Sequence, residues 1–229
     1  MRVLLLPGWG FSASVFGSLV DALGDDYEFD RAETSPTSPG VELPDILVQQ
    51  ADSADVLIGW SLGGQLALRL ALQHPGRTRR LVLLATTPCF TERRDWDSGM
   101  PESVFNGFRQ LVLSDATAGL QQFIRLNSGT RINPETRTLL SDNTVEPHTD
   151  ALTAGLDILE KTDLRDEMAI LQTRVLILQA HDDRLVPLQA GRWLSGQLPK
   201  AKLVEYDKGG HAFFLSQPAR VAEVIRQWL

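Results

Sequence analysis

The apolar run "VLIGW" (Val56 to Trp60) passes without a loop into "SLGGQLALRLALQHP", whose apolar residues recur at helical spacing as far as Pro75. A strand joined directly to a helix must turn within a residue or two. Only small residues let the two backbones come that close, and Gly59 and Gly63 stand two positions before and after Ser61. Gly59-Trp60-Ser61-Leu62-Gly63 therefore satisfies G-x-S-x-G in the strand-to-helix setting that the pattern needs. Such a turn strains the serine backbone, lifts its hydroxyl above the sheet edge and points the N–H groups of the helix N-terminus at it.

The flanking segments repeat the strand-then-helix rhythm. "RVLLL", "YEFDRAE", "ADVLIGW" and "RRLVLLAT" are expected strands. Ser12 or Ser14 is placed to cap a helix reaching about Leu23, which Gly24 ends, and "DILVQQA" suits a brief helix after the Pro/Ser-rich loop "TSPTSPGVELP". From about Thr87 to Thr173 strand signals vanish, and amphipathic helical stretches fall around 102–113, 117–126, 134–141 and 149–161. The alternation resumes with "TRVLILQA", a helix near 188–198, "AKLVEYD" and a last helix from about Gln217 to Leu229. The expected fold class is α/β, with a mostly parallel sheet flanked by helices. Residues 1–86 and 174–229 form its core, and 87–173 form an inserted all-helical lid.

The start of the chain offers a competing reading. In "LLLPGWGFSASVF", Gly8 to Ala13 satisfies the dinucleotide-binding pattern G-x-G-x-x-A, and Asp30 lies about 20 residues on, where a ribose-binding acid is expected. A cofactor-binding oxidoreductase built on that turn leaves Ser61 and its setting without a use. Nucleic acid is a poor partner, since the net charge is −7 and only four lysines occur. One cysteine, Cys89, excludes an intrachain disulfide. The four-residue apolar core before Pro7 is too short for a secretory signal, and no run reaches the roughly 20 residues of a membrane span, so a cytoplasmic, membrane-free protein is expected.

A serine nucleophile needs a base, and the base needs an orienting acid. Of the four histidines, His74 ends a helix, His148 lies in a polar loop and His181 directly follows a strand. His211 combines a loop after a late strand, flanking glycines in "KGGHAFF" and a position just before the last helix. Asp182 and Asp183 both follow the strand "VLILQA", and either suits the acid.

Nearly the whole chain resembles the α/β-hydrolase superfamily. Within it the chain is most similar to the pimeloyl-[acyl-carrier-protein] methyl ester esterases of biotin synthesis. The shared strings are "LPGWG", "GWSLGG", "TPCF", "LDILEKTDLR", "DRLVP" and "GGHAFF". The resemblance implies a serine esterase without metal or organic cofactor, acting on a small acyl ester presented on acyl carrier protein. Ser61 would be the nucleophile, His211 the general base, and Asp183, by the register of D-x-L-V-P, the orienting acid. Backbone N–H groups of Trp9 and Leu62 would form the oxyanion hole. Trp9, Trp60 and the segment Phe123, Ile124, Arg125, Leu126 and Asn127 would contact the substrate. Residues 87–172 carry 14 acidic and 8 basic side chains, yet Arg109, Arg125, Arg131 and Arg137 face only Asp115 and Glu135 within 103–141. Arg125, Arg131 and Arg137 are accordingly the candidate contacts for an acidic carrier. The chain departs from the family at Pro7, where a histidine is usual, at Ala180, where a glycine is usual, and in a shortened segment 34–52; its sheet is expected to be shorter at the N-terminal edge. A general short-chain carboxylesterase and a non-catalytic ligand receptor are the other functions such a fold could serve.

Overall fold

A computed structural model describes residues 1–32, 43–127 and 134–229. Six strands, β1 Arg2–Leu6, β2 Glu28–Arg31, β3 Val56–Trp60, β4 Arg80–Leu84, β5 Arg174–Ala180 and β6 Ala201–Tyr206, form one all-parallel sheet in the order β2-β1-β3-β4-β5-β6. The direction of strand addition reverses between β1 and β3. Every residue of β3 is buried, as expected of a strand covered on both faces, whereas β6, at the edge, is buried fully only at Tyr206.

Helices α1 Gly17–Leu23, α2 Asp45–Asp52 and α3 Leu62–Gln73 belong to the first half of the fold. Between β4 and β5 come α4 Glu102–Ser114, α5 Ala116–Asn127, α6 Pro134–Asp142 and α7 Thr149–Lys161. The second half adds α8 Leu188–Gln197, the short α9 Phe213–Ser216 and α10 Pro218–Trp228. α3 packs on β1, β3 and β4, α8 on β5 and β6, and α1 along α10. Local chemistry fits these elements. Asp150 lies in the first turn of α7 and Lys161 in the last, each complementing the helix dipole, and Pro218 opens α10 where a missing N–H costs nothing. Leu152, Leu156 and Leu159 give α7 a buried stripe at i, i+4 and i+7.

One expected element differs. The helix expected after Ser12 begins as a 3₁₀ turn, Ala13–Phe16, and becomes α-helical only at Gly17. Ser12 makes no side-chain cap bond; its N–H is instead donated to Asn143 O at 2.9 Å, on the connection between α6 and α7. A tertiary partner has taken the residue that a local cap would have used. Gly24 does end α1, with φ +83°.

The four inserted helices pack on one another and over the C-terminal ends of the strands. α7 rests on α3, α5 on the 210–212 turn, and α6 on α9. Ligands of open α/β sheets bind at those strand ends where the order reverses, here between β1 and β3. The close approach behind that point rests on Gly63: a Cβ there would lie 2.1 Å from Leu6 O and 2.5 Å from its carbonyl carbon. Backbone cannot retreat as a side chain can, so Gly63→Ala is expected to cost about 3 kcal/mol or more. A urea denaturation midpoint within error of the unsubstituted protein would show that the contact carries no such constraint.

Candidate active site

Register brings the loops together. Leu6 of β1 pairs with Gly59 of β3, so the turn carrying Trp9 and the turn carrying Ser61 leave the sheet side by side. Ser61 has φ 54° and ψ −117°, a left-handed conformation costing a β-substituted residue about 1–3 kcal/mol. It persists because Ser61 N–H is bonded to Leu84 O at 2.9 Å, while Ser61 O receives Gly64 and Gln65 N–H at 3.0 and 3.2 Å. The hydroxyl makes no cap bond to α3. Leu62, the first residue of that helix, has an N–H with no intrahelical acceptor. The Trp9 N–H likewise donates to no acceptor among the described residues.

The acid and histidine come from the loops after β5 and β6. Asp183 Oδ2 lies 2.8 Å from His211 Nδ1, and both side chains are fully buried. Four donors converge on this carboxylate: Leu185 N–H at 2.9 Å and Val186 N–H at 3.0 Å on Oδ1, Gln179 Nε2 at 2.9 Å and His211 on Oδ2. An ionised carboxylate, which only accepts, satisfies that set in full, and it assigns the ring proton to Nδ1. His211 Nε2 is then the unprotonated nitrogen. It is buried and has no hydrogen-bond partner among the described residues. Leaving a buried ring nitrogen unpaired costs stability, and this one carries the lone pair that a base needs. The His211 carbonyl receives Trp60 Nε1–H at 3.0 Å, tying the histidine to the residue next to Ser61.

Asp182 does a different job: its Oδ1 accepts Gly210 N–H at 2.8 Å, shaping the loop that presents His211. Gln179 is a functional neighbour that sequence reasoning misses. A polar residue near the end of an apolar strand is a visible anomaly, but its use depends on the loop that folds over it. Its amide bridges Asp183 and Val186 O at 2.8 Å and so holds the acid loop closed.

Trp9 separates two spaces. Outside it runs an open groove of about 720 Å³, bordered by the turn Pro7–Ser14, Arg31, Leu62 and the N-terminal part of α7. Inside it is a narrow apolar pocket of about 30 Å³ against Phe108, Phe123, Leu126, Leu156 and Leu185. Phe123 and Leu126 thus reach a pocket. Ile124 is buried but does not line it, Arg125 is exposed and bonded to Gln122 at 2.7 Å, and Asn127 is fully buried with its amide on Phe123 O. Trp60 lines neither space; it is wholly buried between Phe11, Phe214 and His211.

Of the arginines, Arg131 lies outside the described residues, and Arg137 is exposed on α6. Arg109 is not free to serve a partner, since it pairs with Asp157 and, at 3.0 Å, with Glu160 of α7. Burial would raise the Asp157 carboxyl, but hydrogen bonds from Arg109 and Lys161 outweigh it and hold it below the usual range. Cys89 is buried, and burial first, with Asp163 adding, pushes its thiol up to about 11, so it stays neutral. Among the described residues no three His, Cys, Asp or Glu side chains converge as a metal would require. The dinucleotide reading of the first turn fails on its surroundings. Asp30 is bonded to Arg2 at 3.0 Å, Leu120 Cδ2 stands 2.8 Å from where a Gly10 Cβ would be, and no α-helix N-terminus follows directly.

Sheet order, strained serine elbow and late acid and histidine loops define an α/β hydrolase, and the chain belongs to the alpha/beta hydrolase family, whose model matches residues 3–224. Within that family it is similar to proteins named pimeloyl-[acyl-carrier protein] methyl ester esterase. The one from Nitrosomonas europaea is 33% identical over 94% of this chain and 90% of its own length. The one from Xanthomonas campestris is 33% identical over 99% of this chain and 94% of its own. Among solved structures, an esterase from Exiguobacterium antarcticum superposes with a TM-score of 0.83 at 20% identity, covering 100% of this chain and 91% of that one, a likeness of fold.

The carboxylate geometry separates the two neighbouring aspartates. Asp183→Asn puts an NH₂ against a pair of donors and is expected to cost about 1–3 kcal/mol in urea denaturation. Asp182→Asn keeps an oxygen for Gly210 N–H and should stay within about 0.5 kcal/mol. The reverse order would contradict the bonding described.

Proposed function

We propose that the protein is a serine carboxylesterase that hydrolyses the methyl ester of pimeloyl-acyl carrier protein. The observation that carries the chemistry is the buried Asp183–His211 pair with an unpaired Nε2, anchored through Trp60 beside Ser61. The relatives' names carry the substrate.

In this reading Ser61 Oγ adds to the ester carbonyl carbon while its proton passes to His211 Nε2. Asp183 remains ionised, keeps the ring oriented and stabilises the imidazolium. The oxyanion accepts hydrogen bonds from Trp9 and Leu62 N–H, each donor being worth on the order of 10²–10³ in rate at comparable sites. Collapse breaks the bond to the methoxy oxygen, which leaves as methanol with the proton from Nε2. Water then adds to the acyl-enzyme, giving its proton to Nε2. A second collapse returns that proton to Ser61 Oγ and frees the carboxylic acid, which ionises in solution. The inserted helices α4–α7 act as the lid. The open groove, mostly apolar with Arg31, Glu146 and His148 on its border, suits an acyl arm tethered to a carrier outside. The apolar pocket, at about 30 Å³, has room for little more than one water-sized group until its walls move.

A second reading, a general short-chain carboxylesterase, draws on the same triad and on one further observation. Arg109, one of the four arginines within 103–141, is neutralised by Asp157 and Glu160, which reduces the basic patch open to an acidic carrier. The two are separated by specificity constants for methyl pimeloyl carrier and p-nitrophenyl acetate, together with complementation of a biotin auxotroph lacking this esterase. A preference for the small ester and no complementation would select the second reading.

Ser61→Ala and His211→Ala are each expected to lower kcat by on the order of 10⁴–10⁶, with Asp183→Asn costing less. Asp182→Asn should retain most turnover, and a larger loss there than at Asp183 would reassign the acid. Arg125→Glu with Arg137→Glu should lower kcat/KM for the carrier-bound ester and spare p-nitrophenyl acetate. Equal losses on both substrates would remove these arginines from carrier recognition.

A further inference from the structure

We infer that helix α7 of the insertion, through Gly155 and the Leu152 carbonyl, positions Trp9 and with it the backbone N–H that receives the oxyanion, an inference resting on the reading proposed above. Glycine is a poor residue for a helix interior, so its presence in the middle of α7 requires a reason from its surroundings. The surroundings supply one. A Cβ at position 155 would lie 2.6 Å from Trp9 Cδ1 and 3.0 Å from Nε1. One turn earlier, the Leu152 carbonyl accepts the Trp9 Nε1–H at 2.7 Å in a buried setting. The Cδ1–Nε1 edge of the indole therefore lies against the helix backbone and is hydrogen-bonded to it. The ring packs edge-to-face with Phe108 of α4 (centroids 5.4 Å apart, 71°) and Phe123 of α5 (4.9 Å, 85°).

The main chain around Trp9 leans the same way. Phe11 N–H to Gly8 O at 3.2 Å closes a four-residue turn, and Gly10 at φ +77° has the sign that a type II turn needs at its third residue. That turn is stapled to the insertion by Val145 N–H on Gly10 O at 3.0 Å and Ser12 N–H on Asn143 O at 2.9 Å. Toward the core sheet, a Cβ on Gly8 would stand 3.0 Å from the ring of Trp60, and Phe11 packs on that ring with centroids 5.0 Å apart. A donor serving a transition state must be held within a fraction of an ångström. Here the surface that holds it belongs to the helical insertion. Displacing α7 by the width of a methyl group must carry Trp9 with it. Gly155 is thus a positioning residue, remote in sequence from the nucleophile and touching no reacting atom.

Gly155→Ala tests this, since alanine favours the helix and removes only the space for the indole. On p-nitrophenyl acetate and on a methyl ester alike, kcat should fall about 10- to 100-fold with KM changed less than about 3-fold. The melting temperature should not fall. Trp9→Phe removes the five-membered ring that a Cβ would meet. Adding Gly155→Ala to Trp9→Phe should therefore change kcat by less than about 2-fold, a loss of additivity expected only of groups in contact. Gly155→Ala leaving kcat intact, or costing as much in the Trp9→Phe background as in the unsubstituted protein, would overturn the inference. Should the alanine variant not fold, Trp9→Phe alone is read: its kcat should drop about 3- to 10-fold as the bond to Leu152 is lost, and an unchanged kcat would overturn the inference equally. Labelling of Ser61 in the unsubstituted protein by a fluorophosphonate keeps the two levels apart. No labelling would bring down the esterase reading itself, whereas labelling with an indifferent Gly155→Ala brings down only the role of α7.

Discussion

The carbonyl of Leu6 stands where a side chain on the second residue of α3 would have to be, and most of the site's geometry follows from that contact. Because α3 can approach β1 that closely, the chain leaving β3 needs only Ser61 to turn into the helix, at a φ that L-residues seldom adopt. The strain is held by bonds from both sides, Leu84 O on the amide and α3 amides on the carbonyl. The helix N-terminus therefore points at the serine instead of past it, and a strained, buried hydroxyl is left without a cap to make. A larger residue at 63 would lift α3 away from the sheet, and the serine would relax into an ordinary N-cap with its hydroxyl bonded to the helix.

The other half of the site is arranged by different physics. Asp183 is fixed by saturation: two backbone donors, one amide and one imidazole use every direction in which a carboxylate accepts well. His211 is fixed at its carbonyl by Trp60 as well as at Nδ1 by the acid. These two anchors leave the ring little freedom, and Nε2 is left with nothing to bind among the described residues. The loops that carry residues 61, 183 and 211 share one end of the sheet because β3, β5 and β6 run parallel. Parallel pairing here serves proximity as much as stability.

The sheet was legible because it is buried on both faces: uninterrupted apolar runs such as "VLLL", "VLIGW" and "VLIL" have few other uses, and each lies inside a strand. The inserted helices were legible from their apolar stripes, with α7 at Thr149–Lys161 matching its expected span. The start of α1 was not, since Ser12 is a good cap by composition and only a partner 131 residues away redirects it. Charge in space escapes a linear reading for a related reason. Arg109 looks unopposed within the window 103–141, but α7 folds back and sets Asp157 and Glu160 against it. Gln179 and Gly155 are visible as residues of the wrong type for their elements. What they touch, an acid loop and an indole, is a property of packing that no local window contains.

The turn "PGWG" shows how one local solution serves unrelated chemistries. Its glycines are equally suited to cradling a pyrophosphate and to exposing a single N–H, so letters alone do not decide between them. The decision comes from what fills the space beyond. A dinucleotide needs open volume over Gly10 and an α-helix starting at once; here Leu120 occupies the first and a 3₁₀ turn replaces the second. Once the insertion has closed over the turn, the amide at Trp9 remains without an acceptor among the described residues, beside an elbow whose own amide at Leu62 has no partner within its helix. Two donors without such acceptors, on turns that leave neighbouring strands, are what a charge formed only during reaction would require. The sheet sets the loops of Ser61 and His211 at one end, and the insertion holds the turn that carries Trp9.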